Sequence, residues 1–191
     1  MITLFEEAVK LQDMLLDEGL DFFFVGGIPL QIWGQPRLTT DIDLTVFSEL
    51  VNEDARIKWF LSRFKPLIGT VNSTLQFALQ KRVLLLQTES QTEIDIMLGT
   101  IADISEELRR SSFQQFTPTL QLKICSAETL IALKTVAGRG QDFVDIETVM
   151  IKQDAIDWEY IESYLGQVME YEDISSKRER LEQIRTALNK K

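Results

Sequence analysis

Three aspartates stand where a divalent cation could be held. Asp41 and Asp43 lie two apart in Asp41-Ile42-Asp43-Leu44-Thr45-Val46, and Asp95 recurs in Glu93-Ile94-Asp95-Ile96-Met97-Leu98. In a strand, residues two apart share a face and lie about 6.5 Å apart along the chain. Ile42, Leu44 and Val46 would then take one face, and Asp41, Asp43 and Thr45 the other. Carboxylates at that spacing can converge on one ion, or on two ions about 3.5–4 Å apart. A strand beside this one would bring in Asp95. The plainer reading of each acid alone is a solvated strand-edge side chain. Taken together, acids on apolar strands need a reason to share an edge, because unpaired buried charge is costly, and a metal supplies that reason.

The rest of the composition narrows the chemistry. The chain has no histidine and one cysteine, Cys125. That excludes a Ser-His-Asp or Cys-His site, a His-ligated zinc and a thiolate cage. Carboxylates and carbonyls remain, and these favour hard ions such as Mg²⁺ or Mn²⁺. No internal disulfide can form, and a lone cysteine reads as a small apolar residue in a reducing cytosol. No basic segment followed by an apolar core opens the chain, and its apolar runs are far too short to span a membrane, so a cytoplasmic protein is expected.

The net charge of −10 argues against a broadly basic nucleic-acid surface. The charge is uneven. From Lys177 to Lys191 six basic and two acidic residues give a local +4, which leaves −14 for the remainder. That basic tail reads either as an RNA-backbone contact or as a solvated helix face.

The elements that must position the acids follow from local pattern. Phe22–Val25 is a short apolar run ending at Gly26-Gly27, as a buried strand would. The glycines allow backbone angles closed to other residues and clear side chains from a ligand's path. Pro29 suits the first turn of a short helix and Gly34 its end, so free N–H groups beside the glycines could meet a phosphate. Upstream, Thr3-x-x-Glu6 is a capping box for an amphipathic helix running to Glu18, packed behind the sheet with no role in chemistry. Downstream, a helix is expected over Glu53–Phe64 with Asn52 as its cap, then strands at Leu75–Leu79, Arg82–Gln87 and Thr92–Leu98. A turn at Glu89-Ser90-Gln91 makes the last two a hairpin that delivers Asp95. A short helix around Ile104–Arg110 and polar loop residues to Phe116 follow, then a last strand over Leu120–Cys125. From Ser126 only helices are expected: Ala127–Ala137, Asp142–Lys152, Trp158–Tyr171 and Ser175–Asn189. The boundary falls near Thr117-Pro118, giving an α/β part over residues 1–118 and a helical part over 119–191.

The ordered combination resembles the nucleotidyltransferase superfamily: an apolar strand, Gly-Gly or Gly-Ser, a spacer, Asp-x-Asp, then a third Asp on a later strand. The fuller form, Gly34-x-Pro36-Arg37-x-Thr39-x-Asp41-Ile42-Asp43-Leu44, looks most like the AbiEii-type nucleotidyltransferases, bacterial proteins that include toxins of toxin–antitoxin pairs. The resemblance implies an α/β mixed sheet with flanking helices and a C-terminal helical domain. It implies Mg²⁺-dependent (or Mn²⁺-dependent) transfer of NMP from an NTP such as ATP to a hydroxyl acceptor: a tRNA end, a protein side chain or a small molecule. An antitoxin protein would be a partner. Asp41, Asp43 and Asp95 would hold the metal, with Gly26 and Gly27 cradling the triphosphate. Many members of the superfamily carry Gly-Ser; with Gly27 in that place, backbone N–H groups must suffice. A non-catalytic nucleotide- or partner-binding module on the same fold is the alternative.

A second constellation, Lys134-Thr135-Val136-Ala137-Gly138-Arg139-Gly140-Gln141-Asp142-Phe143-Val144-Asp145, resembles the same family's Lys-x-x-Ala-x-Arg helix followed by Asp-x-x-Asp. The resemblance implies that Lys134 reaches triphosphate oxygens, that Asp142 orients Lys134 or joins the site, and that Asp145 tethers helices. An inter-helix salt-bridge network among Lys134, Arg139, Asp142 and Asp145 fits the same residues. Arg37 is a candidate for phosphate or acceptor contact, against the reading of an exposed loop arginine. Trp33 and Trp59 read as core aromatics. Trp158 and Tyr160 are expected to pack, with base stacking as the other possibility.

Overall fold

The structure, a computed structural model, describes residues 3–48, 52–100 and 105–188. It divides into two compact units: residues 1–28 with 38–125, and residues 29–37 with 126–191. The last strand, over residues 120–124, therefore groups with the sheet, and the short segment 29–37 groups with the C-terminal helices.

The first unit is built on one mixed sheet. Its elements in chain order are α1 (Leu4–Asp17), β1 (Asp21–Phe24), the start of α2 (Gly27–Trp33), β2 (Asp41–Ser48), α3 (Glu53–Leu61), β3 (Lys65–Pro66), α4 (Val71–Lys81), β4 (Val83–Gln87), β5 (Glu93–Thr100), α5 (Ser105–Arg110), β6 (Ser112–Thr117) and β7 (Leu120–Ile124). The strand order is β3-β4-β5-β2-β1-β7-β6, which puts β2 in the middle. It pairs with β5 in parallel and with β1 antiparallel. Alternation decides the faces, as expected. Ile42, Leu44, Val46, Ile94, Ile96 and Leu98 are buried on one side, in register Ile42↔Ile94, Leu44↔Ile96 and Val46↔Leu98. Burying six such side chains contributes on the order of 10 kcal/mol, at roughly 1.5–3 kcal/mol each. Phe22, Phe23 and Phe24 extend the core onto β1.

The local signals held where caps and turns were explicit. Thr3 and Glu6 form the capping box that opens α1. The β4–β5 hairpin forms antiparallel around the polar turn. Two expectations are corrected. Leu75–Leu79 is not a strand but the middle of α4. Leu75, Phe77 and Leu79 alternate like a strand, yet Thr70 and Ser73 cap the segment reciprocally, and Thr74 and Ala78, four apart, are what it buries. The polar loop expected before Phe116 is the edge strand β6, paired with β7. Its alternation is masked because an edge strand can place polar Ser112 and Gln114 on its inner face. Helix α3 ends at Leu61 rather than Phe64, and Asn52 precedes it without a side-chain capping bond. The expectations over Ile104, Asn189, Lys190 and Lys191 lie outside the described residues.

The second unit holds α6 (Ala127–Ala137), α7 (Gly140–Lys152), α8 (Trp158–Met169) and α9 (Ser175–Ala187). Ser126 caps α6 by accepting the Thr129 N–H at 3.1 Å, and Gly138, at φ +67°, ends it in the left-handed region. Helix α7 starts at Gly140, two residues before the expected start. Trp158 and Tyr160 are buried, and the Tyr160 hydroxyl meets Thr129 Oγ1 at 2.9 Å, so both pack rather than present a stacking face. Among the described residues no helix is long and apolar enough to cross a membrane.

Candidate active site

In the first unit the register gathers the acids. Asp43 stands directly opposite Asp95 and Asp41 opposite Glu93 on the parallel pair β2–β5. Adjacent strands lie about 4.8 Å apart, and register partners share a face, so four carboxylates occupy one end of one face. The antiparallel partner β1 ends at this same level, with Phe24 opposite Leu44 and the Val25 N–H bonded to the Asp43 carbonyl at 2.9 Å. The glycine turn therefore arrives beside the acids because of strand direction, not because of its own sequence.

The double glycine and the Asp-x-Asp prove to be one packed feature. Gly26 sits at φ +66°, and a Cβ there would fall 1.9 Å from Asp43 Oδ2. A Cβ on Gly27 would fall 2.3 Å from Thr39 Oγ1. Thr39 in turn donates to Asp41 Oδ1 at 3.1 Å. Both glycines are thus required by the side chains that lie against them, which aim Asp43 across the turn.

Burial pushes the Asp95 carboxyl above its usual range, and the charges of Asp41 and Glu93 push it further in the same direction. Such a donor set, all carboxylate oxygen, suits Mg²⁺ or Mn²⁺. The side chains are not drawn together: among the described residues no group of three His, Cys, Asp or Glu converges as a metal site.

The second unit brings together the other candidates. Lys134 is buried, and its Nζ donates to Asp142 Oδ1 at 3.2 Å and to Asp145 Oδ2 at 2.6 Å. Asp142 also accepts the Arg139 backbone N–H at 3.1 Å and its Nε at 2.8 Å. Asp145 accepts Arg37 Nε at 3.0 Å, Arg37 Nη2 at 3.0 Å and Gln141 Nε2 at 2.9 Å. Burial alone would raise both aspartates. Hydrogen bonds from Arg139 to Asp142, and from Arg37 and Lys134 to Asp145, hold both below the usual carboxylate range, and the Lys134 charge adds to this. The structure thus groups Arg37, Lys134 and Asp142 around Asp145, and groups Asp41, Asp43, Asp95, Gly26 and Gly27 on the sheet.

The basic stripe of α9 is committed within its own unit. Lys177 Nζ donates to the Val136 carbonyl at 2.6 Å, and Arg178 pairs with Glu162. Arg180 lies over the Phe143 ring at 4.5 Å and Arg185 over the Trp158 ring at 4.2 Å. Sequence reasoning passed over Thr39 and Glu93 as site residues. Glu93 was visible as a second period-two acid, two residues before Asp95. Thr39 stands in the motif that carries the resemblance, but only its approach to Gly27 and its bond to Asp41 give it a role.

Comparison with known proteins finds the same fold. The crystal structure of an antigenic nucleotidyltransferase-like protein from Paracoccidioides brasiliensis shares the fold at a TM-score of 0.51 and 16% identity, over 89% of this chain and 88% of that one. Lincosamide antibiotic adenylyltransferase LnuA, solved with lincomycin bound, does so at 0.53 and 14%, over 75% of this chain and 95% of that one. No curated protein sequence matches significantly. The sequence matches the family described as "Nucleotidyl transferase AbiEii toxin, Type IV TA system" over residues 11–190, nearly the whole chain, and the protein is therefore a nucleotidyltransferase enzyme of the AbiEii family.

Proposed function

We propose that the acid face of the sheet is the catalytic centre of a Mg²⁺-dependent transfer of NMP from an NTP to a hydroxyl acceptor. One observation carries this reading: Asp43 and Asp95 stand opposite each other in register, with Asp41 on the same face and the Gly26 backbone against Asp43. In the reaction the acceptor oxygen bonds to the α-phosphorus, the α–β bridging P–O bond breaks, pyrophosphate leaves and the acceptor gives up its proton. Charge spreads over phosphate oxygens, so positioning and neutralisation do most of the work. A bound divalent ion would supply that neutralisation and acidify the acceptor hydroxyl.

The chain's own residues divide the remaining roles. Asp41 and Asp43 would hold the metal, Thr39 orients Asp41, and Asp95 would complete the carboxylate set and take the acceptor proton. The Gly26-Gly27 turn offers backbone N–H groups to phosphate oxygens with no side chain in the way. Lys134 Nζ already donates to Asp142 and Asp145, so any service to the triphosphate would draw on its one remaining N–H or on opening that network. The acceptor classes are a tRNA end, a protein side chain or a small molecule. The commitment of Lys177, Arg178, Arg180 and Arg185 to internal partners weighs against an RNA backbone lying on α9. The family description supports a toxin role, and with it an antitoxin protein as partner.

The test is a thermal-shift panel of four NTPs with and without Mg²⁺, followed by incubation with α-labelled NTPs and a cell extract. The reading expects Mg²⁺-dependent stabilisation by at least one NTP and label transferred to an acceptor. A folded Asp43→Asn protein that still transferred label would remove it.

A further inference from the structure

Asp145 is 2% exposed, and two cations reach its carboxylate, although one would balance it. Lys134 already supplies the buried counter-charge, and Arg139 serves Asp142. Arg37 comes from 108 residues earlier in the chain and grips Asp145 with both Nε and Nη2. A two-point guanidinium–carboxylate pair fixes direction as well as distance, which a single ammonium does not. The grip is not alone. The Gln35 N–H donates to Thr148 Oγ1 at 3.1 Å, Lys152 Nζ to the Gly34 carbonyl at 3.2 Å, and Gln153 Nε2 to the Trp33 carbonyl at 2.8 Å. A Cβ on Gly34 would fall 2.7 Å from Thr148 Oγ1, so the chain lies directly against α7. Gln31 Nε2 donates to the Arg37 carbonyl at 2.7 Å and closes the loop on itself. Residues 33–37 are therefore held along one helix, and the acid strand begins four residues after Arg37.

We infer that Asp145 is a positioning residue, which through its two-point hold on Arg37 fixes the stretch leading into Asp41 and Asp43, and that Arg37 serves as this anchor and not as a ligand to the nucleotide. The catalytic half of this inference rests on the transfer reading above. The anchoring half does not. Misplacing reacting groups by about 1 Å can cost on the order of a hundredfold in rate, so a loosened approach to Asp41 should lower kcat and leave nucleotide affinity nearly untouched.

The experiment compares Arg37→Gln, Arg37→Lys, Asp145→Asn and the Arg37→Gln/Asp145→Asn pair in the full chain. Hydrogen exchange is read over residues 38–43, along with Mg²⁺·NTP affinity and the rate of label transfer. Exchange should quicken about tenfold in all four proteins, local opening being what such exchange reports. Transfer should fall about tenfold or more, with affinity within about twofold, and the double variant should be no worse than the singles, as expected of residues acting as one unit. Arg37→Lys should behave like Arg37→Gln because the fork is lost. Should Asp145→Asn fail to fold, the two Arg37 variants decide the matter by the same readouts. Weakened nucleotide affinity in Arg37→Gln that Arg37→Lys restores would make Arg37 a phosphate ligand and overturn the inference, as would unchanged exchange. Wild-type chain that transfers no label sinks the transfer reading alone, since the exchange result stands without it.

Discussion

Asp95, half-buried on the sheet, and Asp145, buried among the helices, are moved in opposite directions by their surroundings. Asp95 shares its face with Asp41, Asp43 and Glu93, and its carboxyl is pushed up. Asp145 is surrounded by Arg37, Lys134 and Gln141, and its carboxyl is pulled down. The helical cluster carries its own counter-charges and needs nothing from outside. The sheet face sets like charges side by side, the arrangement that the proposed cation site would use. The contrast is between carboxylates paired with the chain's own cations and carboxylates set beside one another.

Asp43→Asn should widen the contrast most. Label transfer is expected to drop by at least about a hundredfold, of the size seen when one charge-stabilising group is removed from a catalytic centre. The metal-free melting temperature should change little, because the isosteric amide keeps the packing against Gly26. Lys134→Ala should do the reverse: it removes the buried ammonium that donates to both Asp142 and Asp145 and leaves each only a more exposed arginine, costing about 3–5 kcal/mol in denaturant unfolding. If Lys134→Ala were neutral for stability, the two regions would not differ as described. Gly26→Ala comes next. The left-handed backbone alone costs about 1–2 kcal/mol, and the new Cβ must displace the Asp43 carboxylate, so transfer should fall more than stability.

The pH dependence of the metal-free protein should carry both signs. Asp142 and Asp145 are depressed, so their stabilisation is present above the ordinary carboxylate value of about 3.9 and is lost as pH falls below it. Asp95 is raised, so its effect runs the other way: stability declines as pH rises from about 3.9 through the raised value. Urea midpoints across this range should show Asp142→Asn flattening the acid limb and Asp95→Asn flattening the opposing decline. The smallest effect is expected from Arg180→Ala, which removes a cation from the Phe143 ring at a cost of about 0.5–1 kcal/mol and leaves transfer unchanged.

Much of the acid face was legible because period-two alternation is a strong signal: Ile42, Leu44 and Val46 could only be a buried face, so Asp41 and Asp43 had to share the other. Strand order was not legible. That β1 runs antiparallel to β2 and delivers Gly26 to Asp43 is a property of the whole sheet, and no local pattern carries it. Leu75–Leu79 misled because Leu75, Phe77 and Leu79 alternate like a strand, while in α4 Phe77 and Leu79 are exposed and the buried contacts are the small Thr74 and Ala78. The network around Asp145 was half legible. Lys134, Arg139 and Asp142 stand on neighbouring helices, but the Arg37 contact spans 108 residues and only tertiary packing creates it.

The central claim is that Asp41, Asp43 and Asp95 receive one shared cation. Mn²⁺ titration of the full chain with a non-hydrolysable NTP, followed by electron paramagnetic resonance, tests it most directly. Saturable binding in the wild type, lost alike in Asp43→Asn and Asp95→Asn and kept in Asp145→Asn, is the predicted result. Binding that survives in Asp95→Asn as in the wild type would mean that the two strands do not share an ion, and the account would fail there.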